Sequence, residues 1–196
     1  MIRTPLALIP YLFLAAFAAA GALWNLSSGI TLQGAIAGSA IGGPFTLTDQ
    51  NGKSRSDTDF RGRDVLLYFG YTNCPDVCPT TLAAIADAMS KLGSKARRVT
   101  PIFVTIDPAR DTQKVLKAYL SSFGPQFVGL TGNADDIKKV AAEYRVYYAK
   151  HPLQRGGYAM DHSSELYLLD PRGRLTTFYD AGIDAKSLSV DLAKRL

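Results

Sequence analysis

The sequence predicts a three-layer α/β sandwich, and three observations carry that expectation. Two short apolar runs, Val65-Leu66-Leu67-Tyr68-Phe69 and Pro101-Ile102-Phe103-Val104-Thr105-Ile106-Asp107, read as strands buried on both faces. Each is followed by apolar residues at helical spacing: Leu82, Ile85, Met89 and Leu92 after the first, then Val115, Leu116, Tyr119 and Leu120 after the second. The chain then closes with the runs Glu165-Leu166-Tyr167-Leu168-Leu169 and Leu175 to Tyr179, joined by an Asp170-Pro171-Arg172-Gly173 turn. Alternation of strand and helix followed by a terminal hairpin and helix is the pattern of a sheet with helices on both faces.

In chain order, no charge falls between Thr4 and Thr48, and Leu6 to Trp24 is a nearly unbroken apolar run. Its 19 residues span roughly 28 Å as a helix, about one bilayer core. Arg3 ahead of it and Trp24 near its far end favour a single span at 1–26 with the remainder outside the cytoplasm. A cleaved signal peptide is the competing reading, since Ala18-Ala19-Ala20 and Ala20-Gly21-Ala22 both resemble cleavage sites. No cysteine lies near the run, which excludes a bacterial lipoprotein anchor. Residues 27–41 are small and polar and read as a tether, leaving one domain at 42–196.

Within that domain, Phe45 to Asp49 and Lys53 to Arg55 flank Gln50-Asn51-Gly52 as a hairpin with an Asn-Gly turn. Gly70 lets the backbone leave the first buried strand, and the following helix stops at Gly93. Phe127 to Leu130 is a short strand. Asn133 and Asp136 form a capping box for the helix carrying Ile137, Val140 and Tyr144, and the last helix starts at Asp184. The sequence has no internal repeat.

The chemistry concentrates on Gly70-Tyr71-Thr72-Asn73-Cys74-Pro75-Asp76-Val77-Cys78-Pro79, which holds both cysteines of the chain. Pro79 fits a first helical turn and would clash inside a helix running through Cys74. Cys78 therefore lies near the cap and Cys74 in the loop before it. At that end the dipole and free N–H groups favour thiolate. Thioredoxin-type redox enzymes carry Cys-x-x-Cys, whereas three residues intervene here, a wider pair that can still form a disulfide but suits a metal. Thiolates select soft ions, and two cysteines cannot build a four-thiolate zinc or iron–sulfur site within one chain. Two thiolates plus one imidazole accommodate copper in either oxidation state. The formal net charge of +5 is scattered among acids, without the basic stripe and stacking aromatics of a nucleic-acid binder.

From Phe45 to Tyr179 the chain resembles the Sco/SenC family of copper-delivery proteins. The matching segments are Gly42-Gly43-Pro44-Phe45, Tyr68-Phe69-Gly70-Tyr71-Thr72 running into the cysteine motif, Asp107-Pro108-Ala109-Arg110-Asp111-Thr112, Gly129-Leu130-Thr131-Gly132, Tyr144-Arg145-Val146-Tyr147-Tyr148 and Asp161-His162-Ser163-Ser164. The resemblance implies a thioredoxin-like fold, one N-terminal transmembrane helix, copper ligands at Cys74, Cys78 and His162, and a role in assembling cytochrome c oxidase. It further implies subunit II, at its dinuclear CuA site, as recipient. The expected location is the inner (cytoplasmic) membrane with the domain in the periplasm, where an upstream donor can supply Cu(I) or Cu(II).

His162 lies 84 residues after Cys78, just before the Glu165 strand, in a loop that a thioredoxin-like sheet brings to the cysteines. Redox relatives usually place a cis-proline there, and this chain offers a histidine instead. A histidine beside an aspartate can also be a plain hydrogen-bonded loop residue. His151, beside Pro152, reads as a solvated loop residue. Asp76 can meet a partner's basic group or serve the helix start; Asp107 can touch metal or fix the next loop through Arg110. Met160 can offer a thioether or pack the loop, and Tyr71 and Phe69 can shield the site or fill the core. Two functions follow: a membrane-tethered copper metallochaperone, or a thiol–disulfide oxidoreductase that keeps the oxidase cysteines reduced with Cys74 and Cys78 and without needing His162.

Overall fold

The computed structural model describes residues 41–154 and 156–196. The anchor expected at 1–26 and nearly all of the tether at 27–41 lie outside them. Among the described residues no helix is long and apolar enough to cross a membrane.

β1 (Thr46–Asp49) and β2 (Ser54–Ser56) pair antiparallel around the Asn-Gly turn. Gly52 takes a φ of +84° there, and the Asp49 carboxylate accepts from the backbone N–H groups of Asn51 and Lys53. A 3-10 turn at Asp57–Phe60 leads into β3 (Asp64–Gly70). β3 runs parallel to β4 (Val99–Thr105), and the crossover is α1 (Val77–Leu92) followed by a 3-10 segment at Gly93–Arg98. β4 starts two residues before the apolar run does. It tolerates Pro101, which lies outside the stretch that pairs with the next strand from Ile102 onward.

α2 (Gln113–Ser121) is capped by Thr112, whose hydroxyl accepts from Val115 N–H at 3.3 Å. β5 (Val128–Thr131) precedes α3 (Ala134–Glu143), where the Asn133–Asp136 capping box forms as expected. Next comes a ribbon of β6 (Tyr148–Pro152) and β7 (Tyr158–His162), then β8 (Leu166–Leu169), β9 (Leu175–Tyr179) and α4 (Ala185–Arg195), capped by Asp184.

Among the described residues the main sheet has seven strands in the order β2-β1-β5-β4-β3-β8-β9, and β6 pairs only with β7. Both crossovers, β3 to β4 and β4 to β5, step the same way across the sheet, so right-handed connections place α1 and α2 on one face. Successive side chains of β3 point to opposite faces. Tyr68 stacks toward Phe103, which meets Tyr119 of α2; Phe69 meets Tyr144, just past α3, and Tyr167. Leu66, Leu67, Tyr68 and Phe103 are fully buried, each stabilising the fold by roughly 1.5–3 kcal/mol. Three layers result, as the sequence predicts.

The β6–β7 ribbon departs from that prediction, which reads His151 and Asp161 to Ser164 as loop and assigns no strand there. His162 is consequently the last residue of a strand, and His151 stands in β6 rather than in a solvated loop.

Candidate metal centre

The site lies where the carboxyl ends of β3 and β4, the start of α1 and the end of β7 converge. Asp76 takes the N-cap position of α1, so Cys78 is its second residue, Pro79 its third, and Cys74 sits in the preceding turn. That turn closes by Cys74 N–H donating to the Tyr71 carbonyl at 3.2 Å. Cys74 is half-buried and Cys78 fully buried, both as free thiols. The Cys74 sulfur accepts the Cys78 backbone N–H at 3.4 Å, and Tyr68 O–H donates to the Cys78 sulfur at 3.7 Å. For Cys78 the helix end does not win: burial pushes its thiol up to about 12.

Gly70 does not serve to turn the chain, because it is still paired with Thr105 as the last residue of β3. It serves by having no side chain. A Cβ there would stand 2.8 Å from the Cys78 sulfur and 2.9 Å from Phe103 Cε2. Gly70→Ala is therefore expected to cost about 1–3 kcal/mol by overpacking and to shift Cys78; an unchanged melting temperature would refute that contact.

His162 arrives from the ribbon. Its Nδ1–H donates to the Ser163 carbonyl at 2.6 Å, which leaves the Nε2 lone pair free, and Nε2 lies 3.6 Å from the Cys78 sulfur. Burial holds the ring below its ordinary pKa and so favours this neutral form. The Tyr71 and His162 rings meet near-perpendicular with centroids 5.8 Å apart. The base of the ribbon is fixed by Ser163 N–H donating to the Tyr147 carbonyl at 2.9 Å.

Sulfur, sulfur and nitrogen all lie within 4.8 Å of one another. Bonds of about 2.3 Å to sulfur and about 2.0 Å to imidazole would let one ion touch a sulfur and a nitrogen up to about 4.3 Å apart. The 3.6 Å between Cys78 and His162 falls within that reach. The donor set is soft, with no carboxylate among the three.

Two further groups shape the site from the β4–α2 loop. Asp111 is fully buried and accepts from Thr72 N–H at 2.9 Å, from Thr72 Oγ1 at 2.6 Å and from Thr105 Oγ1 at 2.6 Å, tying the cysteine loop to the end of β4. Asp107 binds no sulfur neighbour; its carboxylate accepts from Arg110 Nε and from Tyr158 O–H at 2.8 Å. Asp107 thus takes the loop-fixing role.

Asp76 is exposed at the helix start, and its carboxylate makes no cap hydrogen bond. Met160 is buried among core residues, and Tyr71 borders the site. Phe69 faces away from the site, toward Tyr144 and Tyr167, because it alternates with Tyr68. His151 pairs with Asp161 at 2.8 Å on the ribbon. Sequence reasoning missed Tyr68 and Asp111 as site-shaping residues. Strand alternation from Gly70 could have found Tyr68.

The SCO1/SenC family model matches residues 33–196 of this chain. The chain belongs to the SCO1/SenC family. A SCO2-like protein of Rickettsia prowazekii is 43% identical over 150 residues, covering 76% of this chain and 73% of its own. Protein SCO1 homolog 1, mitochondrial, of Arabidopsis thaliana is 38% identical over 174 residues, covering 88% of this chain and 52% of its own. The chain spans about half the length of several such relatives. Among solved structures, Bradyrhizobium japonicum ScoI with copper bound superposes with a TM-score of 0.75 at 45% identity, covering 80% of this chain and 100% of its own. This SCO1/SenC chain accordingly has the mixed α/β, thioredoxin-like fold of its family. Solved relatives hold copper, and this chain presents a Cys-Cys-His group fit for the same ion.

Proposed function

We propose that the protein is a membrane-tethered copper metallochaperone for cytochrome c oxidase assembly. Cys74, Cys78 and His162 hold Cu(I) or Cu(II) as cargo, and the recipient is the CuA site of subunit II. The observation that carries this reading is the approach of His162 Nε2 to 3.6 Å from the Cys78 sulfur, across 84 residues of sequence. Copper in the solved ScoI relative supports the choice of metal. Three ligands leave an ion open to attack, so a partner thiolate or imidazole can enter as one of the three leaves. Cys78 enters as a thiol, so uptake of copper releases its proton. The uncharged run from Leu6 to Trp24 supports an inner-membrane anchor, with the domain in the periplasm.

A thiol–disulfide oxidoreductase would use the same two sulfurs without needing the ring. The neutral, oriented imidazole beside Cys78 favours the metal reading. Anaerobic copper titration of the protein tests the choice. One ion per chain is expected, with intense thiolate-to-Cu(II) absorption that Cys74→Ser and Cys78→Ser each abolish. Absence of copper binding, combined with disulfide reduction that survives His162→Ala, would transfer the function to the oxidoreductase.

A further inference from the structure

Resting on the copper reading above, we infer that Arg110 is the positioning residue that keeps His162 within reach of the sulfurs, and that it thereby governs how strongly the site prefers Cu(II) over Cu(I). Among the described residues the ribbon that carries His162 shares no ladder with the main sheet, so beyond its two chain connections it is side chains that hold it in place. Arg110 does so at the head of β7. Its Nη1 donates to the Tyr158 carbonyl at 2.9 Å and its guanidinium lies 3.8 Å over the Tyr158 ring. Its Nε donates to Asp107, which also accepts the Tyr158 hydroxyl, so one carboxylate holds the arginine and the ribbon together.

The same guanidinium lies 5.7 Å from the centroid of Tyr71, whose ring packs perpendicular to that of His162. Arg110 is therefore coupled to the ligand twice, once along β7 and once through Tyr71. Lys150, at 3.6 Å over the Tyr158 ring, adds a second cation from within the ribbon itself and provides no link to the sheet. The copper consequence follows from ligand demand. Two thiolates can satisfy Cu(I), whereas Cu(II) needs the imidazole as well. A ribbon that strays from the sulfurs thus weakens the oxidised complex selectively.

The test combines a metal-free and a metal-bound readout on the same variants. In copper-free protein, Arg110→Gln is expected to speed amide hydrogen exchange in Tyr148–His162 by about tenfold or more while β3 and β4 keep their protection. Its Cu(II) affinity should fall about tenfold or more, with Cu(I) affinity within about threefold of wild type. Tyr158→Phe, which loses only the hydroxyl bond to Asp107, should move both readouts the same way by less. Arg110→Lys, which keeps the charge but not the planar stack or the forked donors, should recover part of the loss. Wild-type exchange in the ribbon of Arg110→Gln overturns the inference, and so does a loosened ribbon with unchanged Cu(II) affinity. If the wild-type protein binds no copper, the function proposed above falls, and with it the copper preference; the exchange measurement still decides whether Arg110 pins the ribbon.

Discussion

His162→Ala lowers Cu(II) affinity by more than about a hundredfold, because losing a ligand exceeds the 10–100-fold that groups behind a ligand usually supply. Cu(I) affinity stays within about tenfold, carried by the two sulfurs. The asymmetry arises at one atom. Nδ1 is committed to the Ser163 carbonyl, so only Nε2 faces Cys78, and alanine leaves nothing in its place. Competition titrations with Cu(I)- and Cu(II)-selective chelators measure the two affinities separately. Equal ratios to wild type in both states would remove His162 from the ligand set.

Asp111→Ala destabilises the protein by about 3–5 kcal/mol, since the carboxylate is fully buried and its loss strands the Thr72 N–H and two threonine hydroxyls. For a chain of this size that lowers the melting temperature by about 6–20 °C, read by circular dichroism. Thr72 stands two residues before Cys74, so the cysteine turn loosens too and copper capture weakens with it. Asp111→Asn, which keeps the shape and one acceptor, should fall in between. A melting temperature within about 2 °C of wild type for the alanine variant would show that the threonines find other partners.

The cysteine half of the site is legible because local rules fix it. A fully apolar strand, a proline that can stand only in a first helical turn and a heptad-like stripe ending at Gly93 place both sulfurs at the start of α1. His162 is legible only through the motif around it. The ribbon that delivers it has little periodicity to read: β6 is mostly exposed, contains Lys150 and His151 and ends at Pro152, which argues against a strand. Asp111 escapes for a different reason: its partner Thr72 lies 39 residues away, beyond what any local pattern reports. The turn from Asn51 to Gly52 and the box at Asn133 are seen at once, since each is satisfied within a few residues.

The separation of the two sheets gives the centre one jaw on the main sheet and one on the ribbon. Both sulfurs ride on the body of the molecule, whereas the nitrogen rides on an arm that, among the described residues, forms a strand ladder only with itself. Lifting that arm would leave every rung of the seven-stranded sheet intact. Opening the grip from that side would cost the packing of Met160 and the Arg110 contacts at Tyr158, and no hydrogen bond of the sheet beneath.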